Sequence, residues 1–261
     1  PAHDLAHRRD RGLPVPDDRR DRRRTRPAPR RAAHRDVLAS GRCLPCNVGS
    51  RLRLLDGRSA GCEDGANEKG PPVTDRPISR YPVPDIVDLP DDLREVIVAV
   101  QERTGFVPNV FLVLAHRPDE LRAFLGYHDA VMERDSGLTK AEREMIVVAT
   151  SANNDCQYCV VAHGAILRIR AKDPHIADQV AINHHKADIT PKQKAMLDFA
   201  LLVAEDSAVV GDDEFEAMYA HGFTDEDIWD ITAVTALFGL SNRMANVIAM
   251  RPNDEFYAMG R

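Results

Sequence analysis

The chain has 261 residues, of which 29% are charged and 5% aromatic, and its formal net charge is −6. That charge is unevenly spread: residues 1–72 hold 16 Arg, one Lys and 10 acidic side chains, a balance of +7, which leaves −13 on residues 73–261. An acidic body excludes the usual basic footprint for nucleic acid, and no apolar stretch reaches the length of a membrane span or follows the early Arg cluster as a secretory h-region.

The reading is therefore cytoplasmic, with no nucleic-acid or membrane partner. In that reducing compartment the five cysteines point to redox or metal chemistry and not to a structural disulfide framework.

Residues 1–77 are read as a disordered basic extension. Their first 72 positions contain 8 Pro, no Ile, Phe, Tyr, Trp or Met, and no apolar periodicity, so this stretch cannot offset its chain entropy. An over-extended reading frame accounts for the Arg/Pro/Asp/Gly bias, with Val73 as a start suited to a GTG codon; the rivals are a basic tail for an acidic partner and a transit peptide. Cys43-Leu44-Pro45-Cys46 lies in this segment and, even with Cys62, is an incomplete zinc site with no core to hold it.

Residues 78–261 are expected to form one all-helical domain. Leu93, Val96, Ile97 and Val100 place a helix over Asp91 to Thr104, ended by Gly105. Pro118 opens a second, running through Leu121, Phe124, Leu125 and Met132. Thr139 with Glu142 makes a capping box ahead of a densely apolar, buried stretch from Met145 to Ala149. Asn153-Asn154-Asp155 breaks that helix and caps the next, Cys156 to about Ile169. Thr190-Pro191 starts another, and Asp212 to His221 is a short one stopped by Gly222. Thr224 with Asp225, Glu226 and Asp227 then begins the run Ile228 to Met250. That last segment reads as the most buried, its small residues (Ala233, Ala236, Gly239, Ser241, Ala245) permitting close approach within the subunit or across an oligomer interface.

Chemistry concentrates at Cys156-Gln157-Tyr158-Cys159. At a helix start, unpaired N–H groups and the positive dipole end favour thiolate over a thiol of pKa roughly 8.5. A spacing of three puts both sulfurs on one side of the first turn, where they can close a disulfide. His163 shares their face and can accept a proton from a sulfur. Glu144, a carboxylate in an apolar stretch, needs a partner such as His163 to be tolerable there. The dipole alone favours Cys156 as the more acidic thiol, while the i, i+4 relation to His163 favours Cys159 as nucleophile.

Glu144, eleven residues, Cys156, two residues, Cys159, three residues, His163: this register resembles the alkylhydroperoxidase D (AhpD) proteins. With Thr104-Gly105-Phe106-Val107-Pro108-Asn109 and Asn242-Arg243, residues 78–261 look most similar to the peroxidase-related branch of the carboxymuconolactone decarboxylase-like superfamily. The resemblance implies an all-α, AhpD-like subunit in a homotrimer or homohexamer, with Cys159 attacking the peroxide, Cys156 resolving, and Glu144 and His163 relaying the proton. It also implies resetting by an external dithiol of the lipoamide or thioredoxin type, with a peroxiredoxin as a further partner. No metal, flavin, haem or nicotinamide is called for. Some members carry a second His just before the later cysteine; this chain has Tyr158, which shortens the relay or routes it through the phenol.

The alternatives are a disulfide reductase serving a peroxiredoxin, a non-enzymatic redox sensor, and a lactone decarboxylase, which the superfamily runs without the cysteine pair. A zinc site from Cys156, Cys159, His163 and Glu144 is chemically allowed. His128, His184 and His185 read as surface or satisfied helix histidines, and Asn242 and Arg243 as either pocket-orienting or helix-packing residues.

Overall fold

The computed structural model describes residues 76–261; the expectations for the extension, Val73, the Cys43/Cys46 pair and Cys62 lie outside them. Among the described residues every regular element is helical and there is no strand. The helices are α1 Asp91–Thr104, α2 Asn109–Leu114, α3 Pro118–Met132, α4 Lys140–Asn153, α5 Gln157–Ala171, α6 Ile176–Asn183, α7 Pro191–Asp206, α8 Asp212–Ala220, α9 Asp225–Val247 and α10 Glu255–Ala258. None is long and apolar enough to cross a membrane.

Local chemistry sets the boundaries. Thr139, Thr190 and Thr224 each accept the N3 backbone N–H while the N3 side chain (Glu142, Gln193, Asp227) returns a bond to the cap, so three helices begin with reciprocal capping boxes. Gly105, at φ 85°, ends α1 in a left-handed conformation that costs glycine nothing. Asp155 takes φ 52° between α4 and α5, a turn Asp tolerates better than most residues. Two short helices, α2 and α6, have no counterpart in the apolar periodicity, because six and eight residues are too few to display it.

The centre of the domain is α4. Nine consecutive residues, Arg143 to Ser151, are buried, and the helix packs against α5, α6, α7 and α9. A helix enclosed on all sides needs apolar residues around its whole circumference, which Met145 to Ala149 supply. The expectation that the last long helix is the most buried is corrected here. Although α9 contributes Ile228, Ile231, Val234, Leu237 and Phe238 to the core, it leaves Trp229 (70% exposed), Leu240, Met244 and Val247 on its outer side.

The N-terminal layer is tied to the C-terminal end of the chain. Arg80 N–H donates to the Ile248 carbonyl at 2.8 Å and Arg251 N–H to that of Ile78 at 3.1 Å. Asn253 accepts from Asn109 N–H (2.7 Å) and donates to the Val107 carbonyl (2.9 Å), while the buried Asn109 amide donates to the Arg251 carbonyl (2.8 Å). These bonds hold Val107 and Asn109 against residues 251–253, just ahead of α10, beside one wall of a cavity.

Candidate active site

Cys156 is itself the N-cap of α5, not its first helical residue as expected. Its Sγ accepts the Cys159 N–H at 3.5 Å, taking the place usually filled by a Ser, Asp or Asn oxygen. Both thiols are free and buried, Cys156 at 0% and Cys159 at 1% exposure. The Cys159 side chain donates toward Cys156, and this bond, with the cap N–H, lowers the Cys156 thiol to about 7 against the cost of burial. Cys159, left holding the proton beside a thiolate and itself buried, is pushed well up. The side-chain amide of Asn242 favours thiolate at both sulfurs.

The two thiols differ in outlook. A cavity of about 880 Å³ lies between the α1–α3 layer and α5 and α9, and Cys159 lines it, whereas Cys156 does not. The cavity walls carry Phe106, Phe111, Phe124 and Phe238, with polar groups at Glu144, His163 and Arg170.

Glu144, 2% exposed, crosses from α4 to accept a bond from His163 on α5, Oε2 to Nδ1 at 2.8 Å. The imidazole is seated edge-on against Phe238, ring centroids 4.7 Å apart. The guanidinium of Arg170 stands 3.9 Å from the other carboxylate oxygen and is held by Glu133 at 2.8 Å. With Nδ1 bound to the carboxylate, Nε2 is the nitrogen left for proton exchange. No hydrogen bond joins the imidazole to either sulfur among the described residues. The carboxylate–imidazole pair and one member of the thiol pair, Cys159, thus line one cavity.

Tyr158 is buried, and its hydroxyl accepts Val110 N–H at 3.1 Å. That N–H is one of the unpaired donors in the first turn of α2, where Pro108 provides no side-chain cap. Burial raises the phenol well above its usual range, and its bond to Val110 N–H anchors α2 to α5. Asn242, fully buried, donates to Ser151 Oγ (2.9 Å) and accepts from Asn154 Nδ2 (2.9 Å), which locks α9 to the end of α4 beneath the cysteines. Among the described residues Arg243 bonds only to the Gly239 carbonyl of its own helix.

Three neighbours of the site are not read as such in the sequence, where Ser241 stands as a helix-packing residue, His128 as a surface or satisfied histidine, and Arg170 is not singled out. Ser241 Oγ lies 3.8 Å from Cys159 Sγ; its signal was its place beside Asn242 in α9. Arg170 follows His163 by seven residues and so shares its face. His128, on α3, lines the cavity, and burial lowers its pKa. Nothing along the chain links α3 to α5, so only the fold reveals it.

The carboxymuconolactone decarboxylase family pattern matches residues 118–183, from α3 to the end of α6. Over 71% of its length the chain aligns with 98% of an uncharacterised peroxidase-related protein from Ralstonia eutropha JMP134, described as an alkylhydroperoxidase AhpD core, at 69% identity and a TM-score of 0.71. A second uncharacterised peroxidase-related protein, from Silicibacter sp. TM1040, aligns over 71% of this chain and 97% of its own at 38% identity and a TM-score of 0.68. The debrominase Bmp8, at 20% identity over 70% of this chain and 95% of its own (TM-score 0.58), shares the fold alone. No curated protein matches. The chain belongs to the AhpD-like, peroxidase-related branch of the carboxymuconolactone decarboxylase-like superfamily.

Proposed function

We propose that the protein is a thiol-dependent peroxidase in which Cys159 attacks, Cys156 resolves, and Glu144 with His163 moves the proton. The observation that carries this reading is the asymmetry of the thiol pair: Cys159 lines the cavity beside the Glu144–His163 pair, and Cys156 caps the helix behind it.

His163 takes the Cys159 proton through the bound peroxide or a water, and Glu144 balances the charge the imidazole gains. The thiolate attacks the nearer peroxide oxygen, forming an S–O bond and breaking O–O; the leaving oxygen takes a proton from His163 and departs as alcohol or water. Cys156 thiolate then attacks the sulfenic sulfur, forming S–S and releasing the oxygen as water with one more proton. An external dithiol of the lipoamide or thioredoxin type reduces the disulfide by two exchange steps and is itself oxidised. The low ionisation point of Cys156 suits a resolving thiolate poised before oxidation.

The apolar stripe Trp229, Leu240, Met244 and Val247 on α9 fits self-association as a homotrimer or homohexamer, which light scattering on the purified protein would establish.

The experiment is consumption of an organic hydroperoxide with dihydrolipoamide as reductant, comparing the parent with Cys159→Ser and Cys156→Ser. Many turnovers per subunit in the parent, abolished in both variants, are expected. Stoichiometric disulfide exchange without peroxide turnover would replace this reading with a reductase for a peroxiredoxin partner or a redox sensor.

A further inference from the structure

Beyond the end of α6 the chain makes a single 3₁₀ turn, His184–Lys186, which lies against α7. We propose that His184, His185 and Asp198 form a binding site for a divalent transition-metal ion of the zinc class, which clamps this turn to α7. The site shares no residue with the cavity and does not depend on the peroxidase reading.

Three donors converge there. His184 Nε2 lies 2.8 Å and His185 Nε2 3.4 Å from the same oxygen, Asp198 Oδ1, and donor atoms of the three residues all fall within 4.8 Å of one another. In a tetrahedral zinc site with bonds of about 2.0–2.1 Å, ligand atoms sit roughly 3.3 Å apart. The two separations bracket that value, so small rotations suffice to admit an ion. It is the one such convergence of His, Cys, Asp and Glu among the described residues; the thiols, His163 and Glu144 do not make another.

The backbone carrying these donors is braced. Lys194 Nζ donates to the His185 carbonyl at 2.8 Å and Ala187 N–H to that of His184 at 3.2 Å. Asp188, just beyond the turn, is clasped by Gln179 through two bonds of 2.9 Å. His184 is buried, whereas His185 and Asp198 are more than half exposed, which leaves the site open to ions from solution.

Both Nε2 atoms crowd one carboxylate oxygen, 2.8 and 3.4 Å away, while the two ring centroids stand 4.1 Å apart. A cation replaces that crowding with three coordinate bonds. Two imidazoles and one carboxylate select zinc, cobalt, nickel or copper over magnesium or calcium, which prefer all-oxygen sets. Three protein ligands leave a fourth position for water.

The test is titration of the full chain with Co²⁺, then Zn²⁺, in parallel with His185→Ala and Asp198→Asn, whose replaced side chains are exposed enough to spare the fold; circular dichroism verifies that. The parent is expected to bind one equivalent more than either variant. That equivalent should show cobalt d–d absorption without the sulfur-to-cobalt charge-transfer band that marks metal on thiols. Zn²⁺ should displace it and raise Tm in the parent alone. Equal stoichiometry in all three proteins, or cobalt bound only with the sulfur band, overturns the site, and binding without a rise in Tm overturns the clamp.

Discussion

Arg143 and Glu144 are adjacent on α4 and both are buried, yet they look into different regions of the molecule. Arg143 points into a closed interior, donating to the Val131 carbonyl and Ser136 Oγ (2.5 Å each) and pairing with Asp230 of α9 at 2.7 Å; among the described residues only its Nε lacks a partner. Glu144 points to the cavity, where its partner is a histidine that can gain or lose a proton. Burial and pairing alone therefore do not mark a functional charge. What separates the two is that the partner of Glu144 is an imidazole lining a cavity, whereas the partners of Arg143 lie in closed packing.

Substitutions on the two sides should separate stability from chemistry. Arg143→Ala strands Asp230 in the core and is expected to cost about 3–5 kcal/mol in urea unfolding, toward the lower end because Arg134 stands 3.3 Å from the same carboxylate. Peroxide turnover per folded molecule should hardly change. Glu144→Gln retains an acceptor for His163 Nδ1 but removes the charge. It should lower kcat/KM by about 10²-fold, equivalent to roughly 2.7 kcal/mol of barrier, with a smaller effect on unfolding. If Arg143→Ala abolished turnover in folded protein, or Glu144→Gln left it intact, the division between the two sides of α4 would fail.

Smaller effects sharpen the same contrast around α5. Tyr158→Phe leaves Val110 N–H without its acceptor and should cost about 1 kcal/mol of stability, with little change in the pH profile of turnover. A profile that lost a limb would return the phenol to the relay. The smallest effect concerns the thiol pair. With Cys43→Ser, Cys46→Ser and Cys62→Ser in place so that only this thiol pair absorbs, an ultraviolet thiolate titration should gain one thiolate through about pH 7, protonated below that point and ionised above it, while the second thiol ionises only at far higher pH. Cys159→Ala removes the donor that holds Cys156 low, so its midpoint should rise toward the ordinary value of roughly 8.5. Cys159→Ser retains a hydroxyl donor and should keep the midpoint near 7.

The helix start at Thr139 was legible as a capping box, a contact between residues three apart, and those at Thr190 and Thr224 from Pro191 and from the acidic first turn, although the boxes closed by Gln193 and Asp227 were not read. The register of Glu144, Cys156, Cys159 and His163 was legible for a related reason. Three of the four lie within two turns of one helix, and a buried carboxylate one helix earlier must find a partner. The burial of α4 relative to α9 was not legible, since both sequences are apolar and only the packing decides which has neighbours on every side. Nor was the bond of the Tyr158 hydroxyl to Val110 N–H legible, since its partner lies 48 residues away in the chain.

By itself the sequence determined an all-helical body over residues 78–261 and the local chemistry of the Cys156/Cys159 turn, since helix periodicity, capping and i, i+3 or i, i+4 neighbours are short-range. The tertiary structure decided what no local rule reaches. It set which thiol faces the cavity, joined Glu144 to His163 across two helices, brought His128 and Ser241 beside them, and gathered His184, His185 and Asp198 on another face. Each of these depends on how elements distant in sequence pack together, and packing is a property of the whole core.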